Sequence, residues 1–240
     1  MVVRIVPGEI SAKDSTARVV LPTAAQPKFV PFERIAETIS TPSRKLPFHK
    51  HEAAEVLTYI IEGSGEYDFA GAPPDPLQTG DVRLMSAPST GAHAINPGKG
   101  QMIRDFAVVA SIPTGSAPAT VGSARVRESA PQPDGTATAK LLGPLAALKS
   151  GAGLECSSVR FVSPGTSFRR LGHGFTLIAY ALSGRGRIDS EGIEGGEAAI
   201  VTDAAGFSIQ GSAGFHAILV RAPTLPKPTS LATGPETKVA

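Results

Sequence analysis

The chain carries one unit twice. Val56-Leu57-Thr58-Tyr59-Ile60-Ile61 is a β-branched and aromatic run that reaches Glu62-Gly63-Ser64-Gly65 and resumes as Glu66-Tyr67-Asp68-Phe69. Thr176-Leu177-Ile178-Ala179-Tyr180-Ala181-Leu182 passes through Ser183-Gly184-Arg185-Gly186 into Arg187-Ile188-Asp189 in the same way. The two segments align at a constant offset of 121 residues, Tyr59 with Tyr180, Gly63 with Gly184, Gly65 with Gly186 and Asp68 with Asp189. Thr79-Gly80-Asp81-Val82 corresponds loosely to Gly195-Gly196-Glu197-Ala198. The offset is half of the 240 residues, so the chain reads as a tandem duplication of a hairpin-rich β unit, with Gly63-Ser64-Gly65 and Gly184-Arg185-Gly186 as hairpin turns.

The remainder supports that reading. With 26 Gly and 21 Pro, turns are over-supplied, and they recur every 8 to 12 residues or so, as in a sandwich or barrel. Two segments look helical. Residues 33–38 are short, and residues 140–149 are interrupted by Gly143 and Pro144, which leaves one turn at best. Residues 1–120 are expected to form the N-terminal unit and residues 121–139 a connection with one short strand near Val126. Residues 140–225 are expected to form the C-terminal unit and residues 226–240 an extended tail.

Composition removes several function classes. Twenty-three Lys and Arg against 21 Asp and Glu leave a net charge of +2, too balanced for binding nucleic acid or an acidic membrane by bulk charge. Trp is absent and Tyr numbers 3, which argues against a base-stacking platform. Cys156 is the single cysteine, so neither an intrachain disulfide nor a thiolate zinc site is possible, and a reducing, cytoplasmic setting is expected. Cys156 lacks an evident base partner and reads as a strand residue. No run approaches the ~20 apolar residues that span a bilayer. Dinucleotide, Walker and nucleophile-elbow signatures are missing.

The histidines are the chemistry. His49 and His51 stand two apart ahead of the strand that starts near Val56, and residues two apart in an extended chain share a face. Two such imidazoles can reach one metal ion. Glu55 has the same parity, provided no bulge intervenes, and His93 arrives on a later strand that a barrel brings back beside the first. His173 and His216 have no such company. Arg44, Lys45 and Arg83 read as rim charges, and Phe48 and Tyr59 as pocket or core.

The stretch from His49-Lys50-His51 through Glu55-Val56-Leu57-Thr58-Tyr59-Ile60-Ile61-Glu62-Gly63 resembles the first cupin motif, in its pirin variant. Gly80-Asp81 through His93 resembles the second pirin motif. Pro31-Phe32, Ile112-Pro113, Val162-Ser163-Pro164-Gly165-Thr166 and the Leu177 to Gly184 segment extend the resemblance from about residue 28 to 224, loosely in the second half. It implies an all-β bicupin, two double-stranded β-helix (jelly-roll) barrels in tandem with little helix. It further implies one divalent transition-metal ion (Fe, Mn, Co, Ni, Cu or Zn) in the N-terminal barrel, held by His49, His51 and His93. The pirin motif adds a Glu two residues after the last His, and here that position is Ile95. Glu55, or more weakly Asn96, is the candidate to replace it as ligand or catalytic carboxylate. The implied activity is that of a quercetin 2,3-dioxygenase-like oxidoreductase acting on a flavonol-like or other small aromatic molecule. The alternative is a non-enzymatic, metal- or ligand-responsive regulator with a protein partner. At the offset of 121, His49 falls on Arg170 and His51 on Gly172, so the C-terminal barrel is expected to be metal-free.

Overall fold

The structure is a computed structural model that describes residues 1–11, 17–23, 26 and 30–224; the expected tail lies outside them. No helix occurs among the described residues. The strands are β1 (Val2–Pro7), β2 (Glu9–Ile10), β3 (Ala17–Leu21), β4 (Phe32–Ser40), β5 (Leu46–Phe69), β6 (Asp75–Gln78), β7 (Asp81–Pro97), β8 (Ile103–Ser111) and β9 (Thr120–Arg125) in the first half. The second half holds β10 (Thr136–Leu142), β11 (Glu155–Phe161), β12 (Gly165–Arg170), β13 (Phe175–Ser183), β14 (Arg185–Ile188), β15 (Glu191–Glu194), β16 (Glu197–Thr202), β17 (Gly206–Gly211) and β18 (His216–Pro223). All pairings are antiparallel.

The duplication holds strand for strand. In the first half β5 pairs with β8 and β7, and β4 pairs with β8. In the second half β13 pairs with β18 and β16, and β11 pairs with β18. The long strands β5 and β7 run through both layers of the first barrel, so it forms one 8-stranded sheet. Their counterparts are broken, and the second barrel separates into a 6-stranded and a 4-stranded sheet.

Three expectations change. The Gly-x-Gly segments are corners rather than hairpin turns: residues 54–62, before Gly63, pair with β8 and the start of β7, residues 64–69 pair with β6 and the end of β7, and the two segments do not pair with each other; β13 and β14 likewise do not pair across Gly184. Gly63 sits at φ 99°, and a Cβ there would lie 1.8 Å from the Met102 carbonyl oxygen, so the corner requires glycine. Residues 33–38 lie inside β4, whose two neighbours bury Ile35 and Ala36; sheet pairing overrides the weak helical propensity. Residues 140–149 end β10 and continue as turns.

The edges are covered by strands from outside the presumed barrels' cores. β9 lies at the start of the expected connection and pairs with β7, while β1 crosses to pair with β16 in the second barrel. Each barrel thereby covers an edge strand that would otherwise expose unpaired backbone. The barrels meet sheet to sheet over one shared core that includes Leu57, Phe106 and Val108 from the first and Ile178, Tyr180 and Ile218 from the second. Tyr59 faces Ser158, and Tyr180 donates a hydrogen bond to Glu37. Glu37 and Ser158 are themselves 121 residues apart, so the two halves face each other as near-equivalents. No helix here is long and apolar enough to cross a membrane.

Candidate metal centre

Side chains alternate along β5, but the inward set changes parity at one residue. His49 pairs with His93 and His51 with Gly91; after Glu52 the register slips, and Ala54 pairs with Ala87. The shift sets one residue of β5, Ala53 at φ 47°, opposite two of β7, Pro88 and Ser89, and the alternation of β5 reverses there. Before it the odd positions His49 and His51 turn into the first barrel. Beyond it the even positions Val56 and Ile60 pack inside, and Leu57 and Tyr59 join the core between the barrels.

The bulge decides Glu55. Its carboxylate is 3% exposed and faces the second half of the chain. There Oε1 accepts from the Gly151 amide at 2.7 Å and Oε2 from the Ala152 amide at 3.3 Å and from the Ser150 hydroxyl. Glu55 is therefore not placed with the histidines, and the condition attached to its parity fails for the stated physical reason. Asn96 is engaged by Asp68, and Ile95 is buried among Ile60, Tyr67, Leu77 and Ile103. Glu55→Gln is expected to leave metal content unchanged. It should lower unfolding free energy by about 1–3 kcal/mol, because an amide meets donors where a carboxylate accepted three hydrogen bonds; metal analysis and urea denaturation check both.

His49, His51 and His93 converge. Their nearest ligand atoms lie within 4.8 Å of one another, the only such group of three metal-capable side chains among the described residues. The ring centroids are 4.4 Å apart for His49 and His93, 4.8 Å for His49 and His51, and 5.2 Å for His51 and His93. His49 Nδ1 contacts the Pro47 carbonyl oxygen at 2.9 Å, which leaves its Nε2 available. His93 is 2% exposed and packs against Tyr67, ring centroids 5.2 Å apart; His49 and His51 are half-buried.

The donor set suits a divalent transition metal. His51 Nε2 and His93 Nε2 are 3.3 Å apart. Two nitrogens bound to one ion at ~2.1 Å, with an angle of about 90–110°, stand roughly 3.0–3.4 Å apart. Burial, reinforced by the charges of His49 and Arg34, holds the His51 pKa down to about 4, and burial with the His49 and His51 charges holds His93 at about 3. Both are neutral at pH 7 with lone pairs free for a metal. The unfolded chain takes up these protons near pH 6.5 and the folded chain only near 4 and 3. The metal-free protein is therefore expected to lose stability as pH falls from about 6.5 towards 4, most of it regained above 6.5, in a pH series of thermal melts.

Sequence reasoning missed three contributors. Gly91 stands opposite His51, where a Cβ would come within 3.1 Å of Ala87 Cβ, Ala119 Cβ and Met85 Sδ. Tyr67 backs His93, and Pro47 offers only its carbonyl. None has a local sequence signal, since each acts through a neighbour reached by folding. Of the rim candidates, Arg83 is structural: it bridges Asp75 at 2.7 Å and donates to the Pro76 carbonyl at 2.9 Å. Phe48 is exposed, and Tyr59 belongs to the core between the barrels. Cys156 is buried, which pushes its thiol pKa up and makes it inert, and His216 Nε2 lies 2.7 Å from the Ser158 hydroxyl.

The second barrel reuses the position for other chemistry. Ile188 pairs with Ile209 as Tyr67 pairs with Ile95, so Phe207 stands where His93 stands. Phe207 pairs with Arg169 as His93 pairs with His49. The true counterparts of His49 and His51 are thus Arg169 and Leu171, one residue before those given by the offset of 121, because the β12–β13 connection is one residue longer than the bulge it replaces.

Fold and site together give an all-β tandem of two cupin-fold barrels with a three-histidine cluster in the first. Its likeness to solved structures is one of fold. A bacterial pirin, YhhW from Escherichia coli, in complex with nickel(II), superposes with a TM-score of 0.79 at 16% identity, over 93% of this chain and 100% of that one. A quercetin 2,3-dioxygenase from Acinetobacter baumannii gives 0.80 at 14% identity, over 92% and 79%. GK1651 from Geobacillus kaustophilus gives 0.78 at 17%, over 93% and 96%. No family model and no curated protein matches the sequence.

Proposed function

We propose that this chain is a metal-dependent dioxygenase of flavonol-like or other small aromatic substrates, acting in the cytoplasm through one divalent transition-metal ion at His49, His51 and His93. The convergence of these three side chains carries the reading. The likeness to the nickel-bound pirin and to the quercetin 2,3-dioxygenase supports it. A metal bound there would supply open coordination positions for a chelating oxygen. The protein's part is to hold the three rings. The Pro47 carbonyl orients His49, burial keeps His51 and His93 unprotonated, and Tyr67 and the apolar wall around Ile95 exclude water behind them.

The non-enzymatic regulator is kept as a second reading because of one specific observation. Neither candidate position supplies a carboxylate to the histidines: Ile95 is apolar, and Glu55 is held by residues 150–152, while Glu33 acts on His51 through its charge. Removing a general base lowers a rate by about 10²–10⁴-fold. Dioxygen uptake with quercetin separates the readings. Metallated protein above the buffer background supports the dioxygenase, with a further rise of about tenfold or more in Ile95→Glu. Uptake at background in both leaves a binding protein.

A further inference from the structure

The second barrel has a cavity of about 270 Å³ at the position that holds the histidines in the first. Its inner wall is apolar: Leu171, Leu177, Phe207 and Leu219 line it. Lys140, Arg169, Arg170 and Arg221 also line it, with Glu155 the one acidic side chain. Glu155 is already paired with Arg221, which further donates to the Leu171 carbonyl at 2.8 Å and stacks over Phe175 at 3.4 Å. Arg169 is different. Its Nε is buried with no hydrogen-bond partner, and it makes no ion pair among the described residues. Asp134 attracts it through its charge, and Asp134 Oδ1 accepts from the amide and hydroxyl of Thr136. A buried guanidinium donor without an acceptor is unfavourable unless a ligand supplies one.

We propose that this cavity is a second ligand site, which takes a small monocarboxylate with an apolar or aromatic body. The carboxylate meets the forked guanidinium of Arg169, and the body packs on Phe207, Leu171 and Leu219. A planar carboxylate matches the two parallel donors of arginine, whereas a bare inorganic anion leaves the apolar wall uncovered. The volume lies just below the ~300–1,000 Å³ usual for small-molecule pockets, which selects a single-ring body. The duplication explains the origin of the site: the inward position of the metal centre has been kept open and its donors exchanged for Arg169, Leu171 and Phe207. The site needs no metal and stands apart from the proposed dioxygenase.

Benzoate titrated calorimetrically into the full chain tests it. One molecule should bind per chain, and benzamide and Arg169→Met should each weaken binding by about 10- to 100-fold, the loss of a charge-assisted hydrogen bond. Arg169→Lys should fall between, and His93→Ala should bind benzoate as the parent does. No benzoate binding, equal binding by Arg169→Met, sulfate binding as tight as benzoate, or loss of binding in His93→Ala would each overturn the proposal. If Arg169→Met does not fold, crystals of the parent soaked in bromobenzoate give the answer. A bromine anomalous peak beside Phe207 supports the site, and a peak elsewhere or none overturns it.

Discussion

His93→Ala is expected to lower the affinity for divalent metal by more than ~100-fold and leave purified protein with little metal per chain. Loss of a group that only orients a ligand costs about 10–100-fold, so removal of a ligand exceeds that range. His93 is the most deeply buried of the three histidines, and it is the one that joins β7 to the pair on β5. Without it, two half-buried imidazoles on one strand remain, and these hold an ion no better than a surface His-x-His pair. The fold should survive, because His93 Nδ1 is buried without a partner and alanine removes that burden. Elemental analysis of parent and variant after the same metal loading checks the result. Equal stoichiometry would withdraw the centre and, with it, the proposed activity, while the second-barrel site would stand.

The second large effect concerns the join between the barrels. Phe106 and Tyr180 come from different halves, are fully buried, and stack with ring centroids 5.4 Å apart and planes 18° from parallel. Phe106→Ala should cost about 3–5 kcal/mol, since the removed ring leaves a cavity that two interlocked sheets cannot close. Loss of the aromatic pair adds about 0.5–1.5 kcal/mol within or beyond that range. Tyr180 also donates to Glu37, which accepts from Arg104 Nε at 2.6 Å, and Arg104 reaches the Leu182 carbonyl at 2.9 Å. The ring pair therefore sits against a polar link between the same two sheets, so its removal should shift the whole urea transition rather than one half of it. A biphasic transition in the variant would show that the barrels fold independently of this contact.

Much of this was written in local sequence. The offset of 121 announced two equivalent β units because a duplicated chain preserves the spacing of its corner glycines and core aromatics. The separation of His49 from His51 by two residues placed both rings on one face, since alternation is a property of any extended strand. The motif resemblance supplied His93.

What the tertiary structure alone decided depends on contacts between distant segments. A single register shift, Ala53 of β5 against Pro88 and Ser89 of β7, turned Glu55 out of the first barrel, and such a shift is set by two paired strands, which no single segment encodes. That β1 crosses to the second barrel while β9 closes the edge of the first reflects which free edge each strand meets in space. The counterpart of His49 was Arg169 rather than Arg170 for the same reason: register is set by the partner strand β17, whereas counting along the chain knows only its own length.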